Sequence, residues 1–267
     1  MYGLHSFECM DVIDSMIEAG QRLSTICDAA IPVLETTPSV EHATNPLDYA
    51  WPHHVQYIQK WAGLGATTLL LGMNPGPWGM AQTGVPFGAT GVARDFLEIE
   101  ARTLETPPNA HPKRPIEGMS LERQEVSGTR IWKLMEDHYG SAKSTFEHLF
   151  VVNHCPLLLL GERGQNITPN NVPAAVIAPV LEACDEHLRE VVDIMGITHI
   201  IGIGKYAEQR ARKALNATKD GVGTSPEGRI ITIDTCWHPS PASPLANKNN
   251  GADWRANVTA CLERKEK

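Results

Sequence analysis

A chain of 267 residues with 42% hydrophobic and 20% charged residues is long enough for one large domain or two small ones and has the balance of an ordinary globular protein. Its 31 acidic against 23 basic residues give a net charge of -8, which excludes a uniformly basic nucleic-acid binder but not a local phosphate-binding patch. No apolar run reaches the ~18 residues of a membrane helix. Glu8, Asp11 and Asp14, with no basic n-region, exclude a secretory leader. The cysteines (Cys9, Cys27, Cys155, Cys184, Cys236, Cys261) form no CxxC pair, which disfavours zinc ribbons and iron–sulfur clusters and fits free thiols in a reducing, intracellular compartment.

Residues 1–40 predict an N-terminal helical extension. Val12, Met16, Ala19 and Leu23 fall near helical spacing over about 10–30, and Pro32 and Pro38 end the helix. The adjacent His53 and His54 point about 100° apart on a helix, so they read as packing or surface histidines and not as metal ligands. Thr67 begins a continuous apolar strand that breaks at Gly72-Met73-Asn74-Pro75-Gly76-Pro77 and runs on to Val85-Pro86-Phe87-Gly88. Two Pro and two Gly in six residues can continue neither strand nor helix, so the strand empties into a rigid loop. A helix is predicted over 92–104, then irregular chain over 106–126. That irregular region carries a stiff basic knot, His111-Pro112-Lys113-Arg114-Pro115, suited to a phosphate contact.

A helix follows over 127–139, and a second strand over 149–152 ends in Asn153-His154-Cys155-Pro156. An amphipathic helix with Leu181, Cys184, Leu188 and Met195 on one face precedes a third strand over 198–203. That strand runs into Gly202-Ile203-Gly204-Lys205-Tyr206-Ala207, a GxGxxA pattern. It is not the first strand and no acidic residue follows at the required distance, so the match to a dinucleotide fingerprint is weak. The small residues instead let a helix N-terminus with Lys205 approach a phosphate. A fourth strand over 229–234 opens into Thr235-Cys236-Trp237-His238-Pro239-Ser240-Pro241-Ala242-Ser243-Pro244, and a last helix spans 254–263. With no repeat and no linker, the chain reads as one domain over 1–267.

Strands one, two and four therefore end in Asn74, Asn153 and His238. In a doubly wound parallel sheet these ends share one edge, where ligands bind. Two carboxamides, an imidazole and Phe87, with no triad and no carboxylate at the strand ends, suit a reaction that needs little base strength but strong stabilisation of a departing anion.

GMNPGPWGMAQTGVPFG, VVNHCPL and HPSP with ANK resemble the single-strand-selective monofunctional uracil-DNA glycosylase family. YAW-PH near residue 49, HPKRP at 111–115, EVSG at 125–128, NITP at 166–169 and AEQRARKAL at 207–215 extend the resemblance over about residues 47–264. It implies a three-layer α/β/α sandwich around a central four-stranded, mainly parallel sheet. It implies a monofunctional enzyme without lyase activity that flips uracil from single- or double-stranded DNA and hydrolyses the N-glycosidic bond. Asn74 would hold the water, His238 would stabilise the leaving base, Asn153 would read its Watson–Crick edge, and Phe87 would stack on it. Pro239, Ser240, Pro241, Ala242, Ser243, Asn247 and Lys248 would belong to the wedge that enters the duplex, with Lys113, Arg114 and Lys205 as further DNA contacts. Uracil-only relatives carry Asp at the position of Asn74 and Tyr at that of Gly76, and the Tyr blocks the base C5 position. Gly76, bordered by Met73, leaves room there, so 5-hydroxymethyluracil and other oxidised pyrimidines should be accepted. An Arg commonly follows HPSP in the family, and Ala242 stands there instead, which implies a weaker grip on duplex DNA. This reading needs no cofactor, metal or membrane and expects a monomer, nuclear in a eukaryote and cytoplasmic in a prokaryote. Its rivals are a strict uracil-only glycosylase and a non-catalytic sensor of damaged DNA.

Overall fold

The computed structural model describes residues 2–264, with side chains from residue 11 onward. Among the described residues eight strands run in chain order: β1 His42–Thr44, β2 Thr68–Gly72, β3 Leu149–Asn153, β4 Leu158–Leu160, β5 Asn166–Ile167, β6 His199–Ile203, β7 Val222–Thr224 and β8 Ile230–Cys236. The helices are α1 Tyr2–Leu34, α2 Pro46–Tyr49, α3 Trp51–Trp61, α4 Met80–Thr83, α5 Thr90–Asp95, α6 Val126–Tyr139, α7 Ala142–Phe146, α8 Ala174–Ile194, α9 Lys205–Ala214, α10 Pro244–Asn247 and α11 Ala252–Leu262.

Five strands form the central sheet in the order β3-β2-β6-β8-β7. The first four are mutually parallel, in register from Thr68 opposite Leu149 and His199 to Ile203 opposite Cys236. Every residue of β3 and of β6 is buried, so helices must cover both faces of the sheet. This is the predicted α/β sandwich with one addition: β7 pairs antiparallel with β8 and makes a fifth, edge strand. The sequence hides β7 because it is three residues long, Val-Gly-Thr, with only Gly223 buried. A second sheet, β1-β4-β5, is wholly antiparallel.

The chain goes from β2 to β3 on one side, and later to β6 on the other. Strand order therefore reverses at β2, and the crevice at its carboxyl end is where such a sheet binds ligands. Asn74 lies two residues beyond that end. Two further bonds extend the parallel pairing past the strands: His154 N–H donates to Gly72 O (3.0 Å) and Cys155 N–H to Met73 O (2.9 Å). They fix the two emerging loops against each other.

The larger buried cluster gathers Leu69, Leu70 and Leu71 with Val151, Ile200, Ile201, Trp132 and Trp254. The second joins Leu23, Cys27 and Leu34 of α1 to Val180 and Cys184 of α8 and to Leu157 and Leu159. Each fully buried Leu or Ile contributes about 1.5–3 kcal/mol, so α1 is held by several such contacts. It is longer than predicted at both ends, and Pro32 lies inside its last turns instead of ending it. The helix predicted over 92–104 stops at Asp95. Glu98 then takes a left-handed φ of 53°, and Leu97 and Ile99 turn into the core, so burial overrides helical propensity there. The paired histidines are packing groups: His53 Nε2 accepts from Arg102 N–H (2.8 Å) and His54 Nδ1 lies 2.8 Å from Gly84 O. Cys27, Cys155, Cys184, Cys236 and Cys261 are free and buried.

Candidate active site

A cavity of about 270 Å³ opens at the carboxyl edge of the parallel sheet. Asn74, Asn153 and His238 all line it, together with Met73, Gly76, Pro77, Phe87 and Ser240, so the three strand ends do converge. Glu125, Ser127 and Asn166 complete the lining; they lie in the EVSG and NITP segments, to which the sequence alone assigns no role in the site.

Each carboxamide has one committed end and one open end. Asn153 Nδ2 donates to Met80 Sδ (3.1 Å), while its Oδ1 is buried with no partner. Asn74 Nδ2 donates to Asn166 Oδ1 (3.3 Å), and its Oδ1 is likewise buried and unpaired. Asn166 is in turn fixed by donating from Nδ2 to Pro75 O (3.1 Å). A buried carbonyl without a donor costs about 1–3 kcal/mol. Two such oxygens in one cavity are acceptors awaiting ligand N–H or O–H groups.

His238 presents the complementary group. Its Nδ1 accepts the Ser240 backbone N–H (3.1 Å), so in the neutral ring the proton sits on Nε2. Burial holds its pKa below the usual histidine range, which keeps the ring neutral near neutral pH. The site thus offers an uncharged N–H donor.

Phe87 forms a wall of the cavity. Its ring centre lies 6.4 Å from that of His238, and its backbone takes φ 54°, a left-handed conformation rare for a bulky residue. Ala89 N–H donates to Phe87 O (2.9 Å) and Gly128 presses against the same carbonyl, so the conformation is held from two sides. Gly72 is required beneath: a Cβ there would lie 2.1 Å from Asn153 Oδ1 and 2.7 Å from the Phe87 ring.

The loop after β8 is braced more than its prolines suggest. Arg130 Nη1 donates to Pro239 O (2.9 Å) and Arg130 Nη2 to Asn247 Oδ1 (2.9 Å). Asn247 Nδ2 donates back to Pro241 O (2.7 Å), and Lys248 pairs with Asp253 (3.2 Å). Asn247 is therefore a brace of the loop. Pro241 and Ala242 are exposed, and Ser243 is half-buried. Arg130 was missed because a lone Arg on a helix carries no signal of the carbonyls it will reach.

Beside the cavity, Trp78 is flanked by two guanidinium groups, Arg114 at 5.0 Å and Arg123 at 4.3 Å from the ring centre. The basic knot is anchored by buried His111, whose Nδ1 accepts from Lys113 N–H (3.0 Å) and whose Nε2 faces Glu162 O (3.1 Å). Lys113 is exposed. Lys205 is exposed too but pairs with Glu208 (2.8 Å), so it is not a free charge. Gly202 serves packing: a Cβ there would lie 2.4 Å from the Glu208 backbone nitrogen, where α9 crosses β6. Among the described residues no group of His, Cys, Asp and Glu could hold a metal ion.

Asn166 touches Asn74 from the small second sheet, so its expected effect is one of orientation. Asn166→Ala should lower kcat roughly tenfold with little change in KM, because Asn74 loses only the bond that aims its carbonyl. Steady-state kinetics on a turned-over substrate checks this, and a change confined to KM would refute it.

The profile of the Uracil DNA glycosylase superfamily matches residues 61–260. The chain is 45% identical over 204 residues to the single-strand selective monofunctional uracil-DNA glycosylase of Rattus norvegicus, covering 76% of this chain and 70% of that protein. It is 44% identical over 219 residues to the corresponding Mus musculus protein, covering 82% and 74%. The crystal structure of wild-type SMUG2 from Pedobacter heparinus superposes with a TM-score of 0.60 over 94% of this chain and 95% of that one, at 16% identity, and shares the fold. The motifs at the strand ends and these matches agree: the chain belongs to the single-strand-selective monofunctional uracil-DNA glycosylase family, within the uracil-DNA glycosylase superfamily.

Proposed function

We propose that this protein flips uracil out of DNA into the cavity and hydrolyses its N-glycosidic bond with water, leaving an abasic site. The observation that carries the reading is the pairing of two unpartnered carboxamide oxygens with one neutral N–H donor around a single cavity.

In this reading Asn153 Oδ1 accepts the uracil N3–H, and the second Nδ2 hydrogen, not used by Met80, meets O4. Cytosine offers an acceptor and a donor in the reverse order and is mismatched. Phe87 covers one face of the ring. Asn74 Oδ1 accepts a hydrogen from a water placed toward the sugar. The C1′–N1 bond breaks first, its electron pair going to the base, and the sugar becomes oxocarbenium-like, so the water needs little activation. The water oxygen then bonds C1′ and its proton leaves to solvent. His238 Nε2–H donates to the base O2 as negative charge grows there. Among the described residues no lysine lines the cavity, in keeping with hydrolysis without a lyase step.

Pro239, Ser240, Pro241, Ala242 and Ser243 form the wedge, stiffened by Arg130, and Asn247 and Lys248 support it from behind. A stiff wedge loses little entropy on insertion. Trp78 with Arg114 and Arg123 offers a stacking and phosphate-binding platform beside the cavity, with Lys113 on the same knot and Lys205 reaching phosphate if it leaves Glu208. Gly76 and Met73 border the C5 side, where 5-hydroxymethyluracil and related bases would be accommodated. The substrate is DNA, the enzyme acts as a monomer inside the cell, and among the described residues no helix is long and apolar enough to cross a membrane.

The test is abasic-site formation on matched single- and double-stranded oligonucleotides carrying uracil or 5-hydroxymethyluracil. The wild type should release both bases, with no adduct trapped by borohydride. Asn74→Ala should be slower by ~10² if it removes water positioning. Retention of damaged DNA without any abasic product would overturn the enzyme reading in favour of a sensor.

A further inference from the structure

Glu125 enters the cavity from the N-cap position of α6 and is the second titratable group in its lining, after His238. Its carboxyl is packed across two glycines. A Cβ on Gly76 would lie 1.9 Å from Glu125 Oε1, and a Cβ on Gly79 would lie 2.2 Å from Oε2. The space left by the bare Gly76 is therefore not empty: it holds a carboxyl group. No cation compensates it among the described residues, and burial pushes its pKa up to about 7, an effect the facing Gly128 N–H offsets only in part.

The orientation of the base follows from the roles above, on which this inference rests. With O2 at His238 and N3 and O4 at Asn153, the C5 edge would lie toward Gly76, against which the Glu125 carboxyl packs. We propose that Glu125 is a specificity-determining residue that hydrogen-bonds polar substituents at C5 of the flipped pyrimidine and rejects a methyl group there.

Size alone cannot perform this selection. A hydroxymethyl group is larger than the methyl of thymine, so a pocket that admits the first sterically also admits the second. A carboxyl group separates them. A hydroxymethyl donates to the carboxylate, or accepts from the protonated acid. A methyl can do neither and leaves the desolvated carboxyl with no partner beyond the Gly128 N–H, the situation in which sites built for hydrogen bonding discriminate most strongly. A carboxylate at C5 would be repelled by ionised Glu125.

The experiment compares kcat/KM on single-stranded oligonucleotides carrying uracil, 5-hydroxymethyluracil, thymine or 5-carboxyuracil, for the wild type, Glu125→Ala and Glu125→Gln. Glu125→Ala should lower the 5-hydroxymethyluracil-to-uracil ratio by ~10–100-fold and raise thymine release relative to uracil. Glu125→Gln keeps the shape, donates and accepts, and loses the charge. It should hold the 5-hydroxymethyluracil ratio within about threefold and raise 5-carboxyuracil relative to uracil by about tenfold or more. The glutamine variant carries the test if the alanine variant does not fold, as judged by its melting temperature. Ratios unchanged in the glutamine variant for 5-carboxyuracil, or in a folded alanine variant for 5-hydroxymethyluracil, overturn the role of Glu125 while leaving base excision standing. A wild type that releases none of the four bases overturns the base-excision reading itself and this inference with it.

Discussion

Replacing His238 by alanine is expected to lower the single-turnover rate of uracil release by ~10²–10³, while the Kd for uncleaved DNA stays within about threefold. The reason lies in the proton assignment. Because Ser240 N–H occupies Nδ1, the ring is a neutral Nε2–H donor, and in the proposed mechanism that donor gains strength only as charge builds on the base oxygen. Its effect should fall on the chemical step and not on binding. The pH profile gives an independent reading. Burial lowers the folded pKa of His238 below its usual value of 6.5, so the neutral donor is fully present above that pH. The contribution of His238 should be constant there and be lost only as pH falls through the lowered pKa, when protonation of Nδ1 expels the Ser240 N–H. Glu125, at about 7, titrates in the same cavity. On 5-carboxyuracil, whose carboxylate ionised Glu125 would repel, a bend near pH 7 should thus survive in His238→Ala and disappear in Glu125→Gln. A His238 variant that weakens DNA binding as much as it slows the reaction would show that the ring serves only to shape the loop.

Asn153→Asp is expected to reverse base preference. At neutral pH an ionised aspartate can only accept, so it retains an acceptor for a base N–H but loses the donor that met O4. Uracil would then set its O4 against a negative charge. Cytosine instead places its amino group there. The uracil-to-cytosine ratio of kcat/KM should fall by ~10⁴, the range over which buried hydrogen-bonding sites reject a mispaired partner. Release of uracil and cytosine from otherwise identical single strands measures it. The variant also loses the Nδ2 contact to Met80 Sδ, so some loss of stability should accompany the change. Loss of uracil excision with no gain on cytosine, in a variant that melts near the wild type, would mean that Asn153 shapes the pocket without reading the base.

The sequence determined more of this site than is usual, for a local reason. Asn153 ends the apolar strand β3, Asn74 follows the apolar strand β2 and His238 follows the more mixed β8, and in a parallel sheet the carboxyl ends of strands must share one edge. The apolar runs located the strands, the Pro and Gly after them located the loops, and the side chains between were the candidates. The long motifs around them named the family directly. Edge strand β7 escaped because three residues with one buried position leave no alternating pattern. The end of α5 escaped because Leu97 and Ile99 gain more from the core than Glu98 loses in its left-handed backbone.

Tertiary structure alone decided which groups stand free. Nothing in the chain order shows that Asn166, 92 residues beyond Asn74, binds its amide and leaves its carbonyl open. Nor does it show that Arg130 stiffens the loop after β8, or that Glu125 fills the space that Gly76 leaves. The sequence states which chemical groups a strand end carries. Only long-range packing states which of their lone pairs and protons are already used, and reactivity belongs to those that remain.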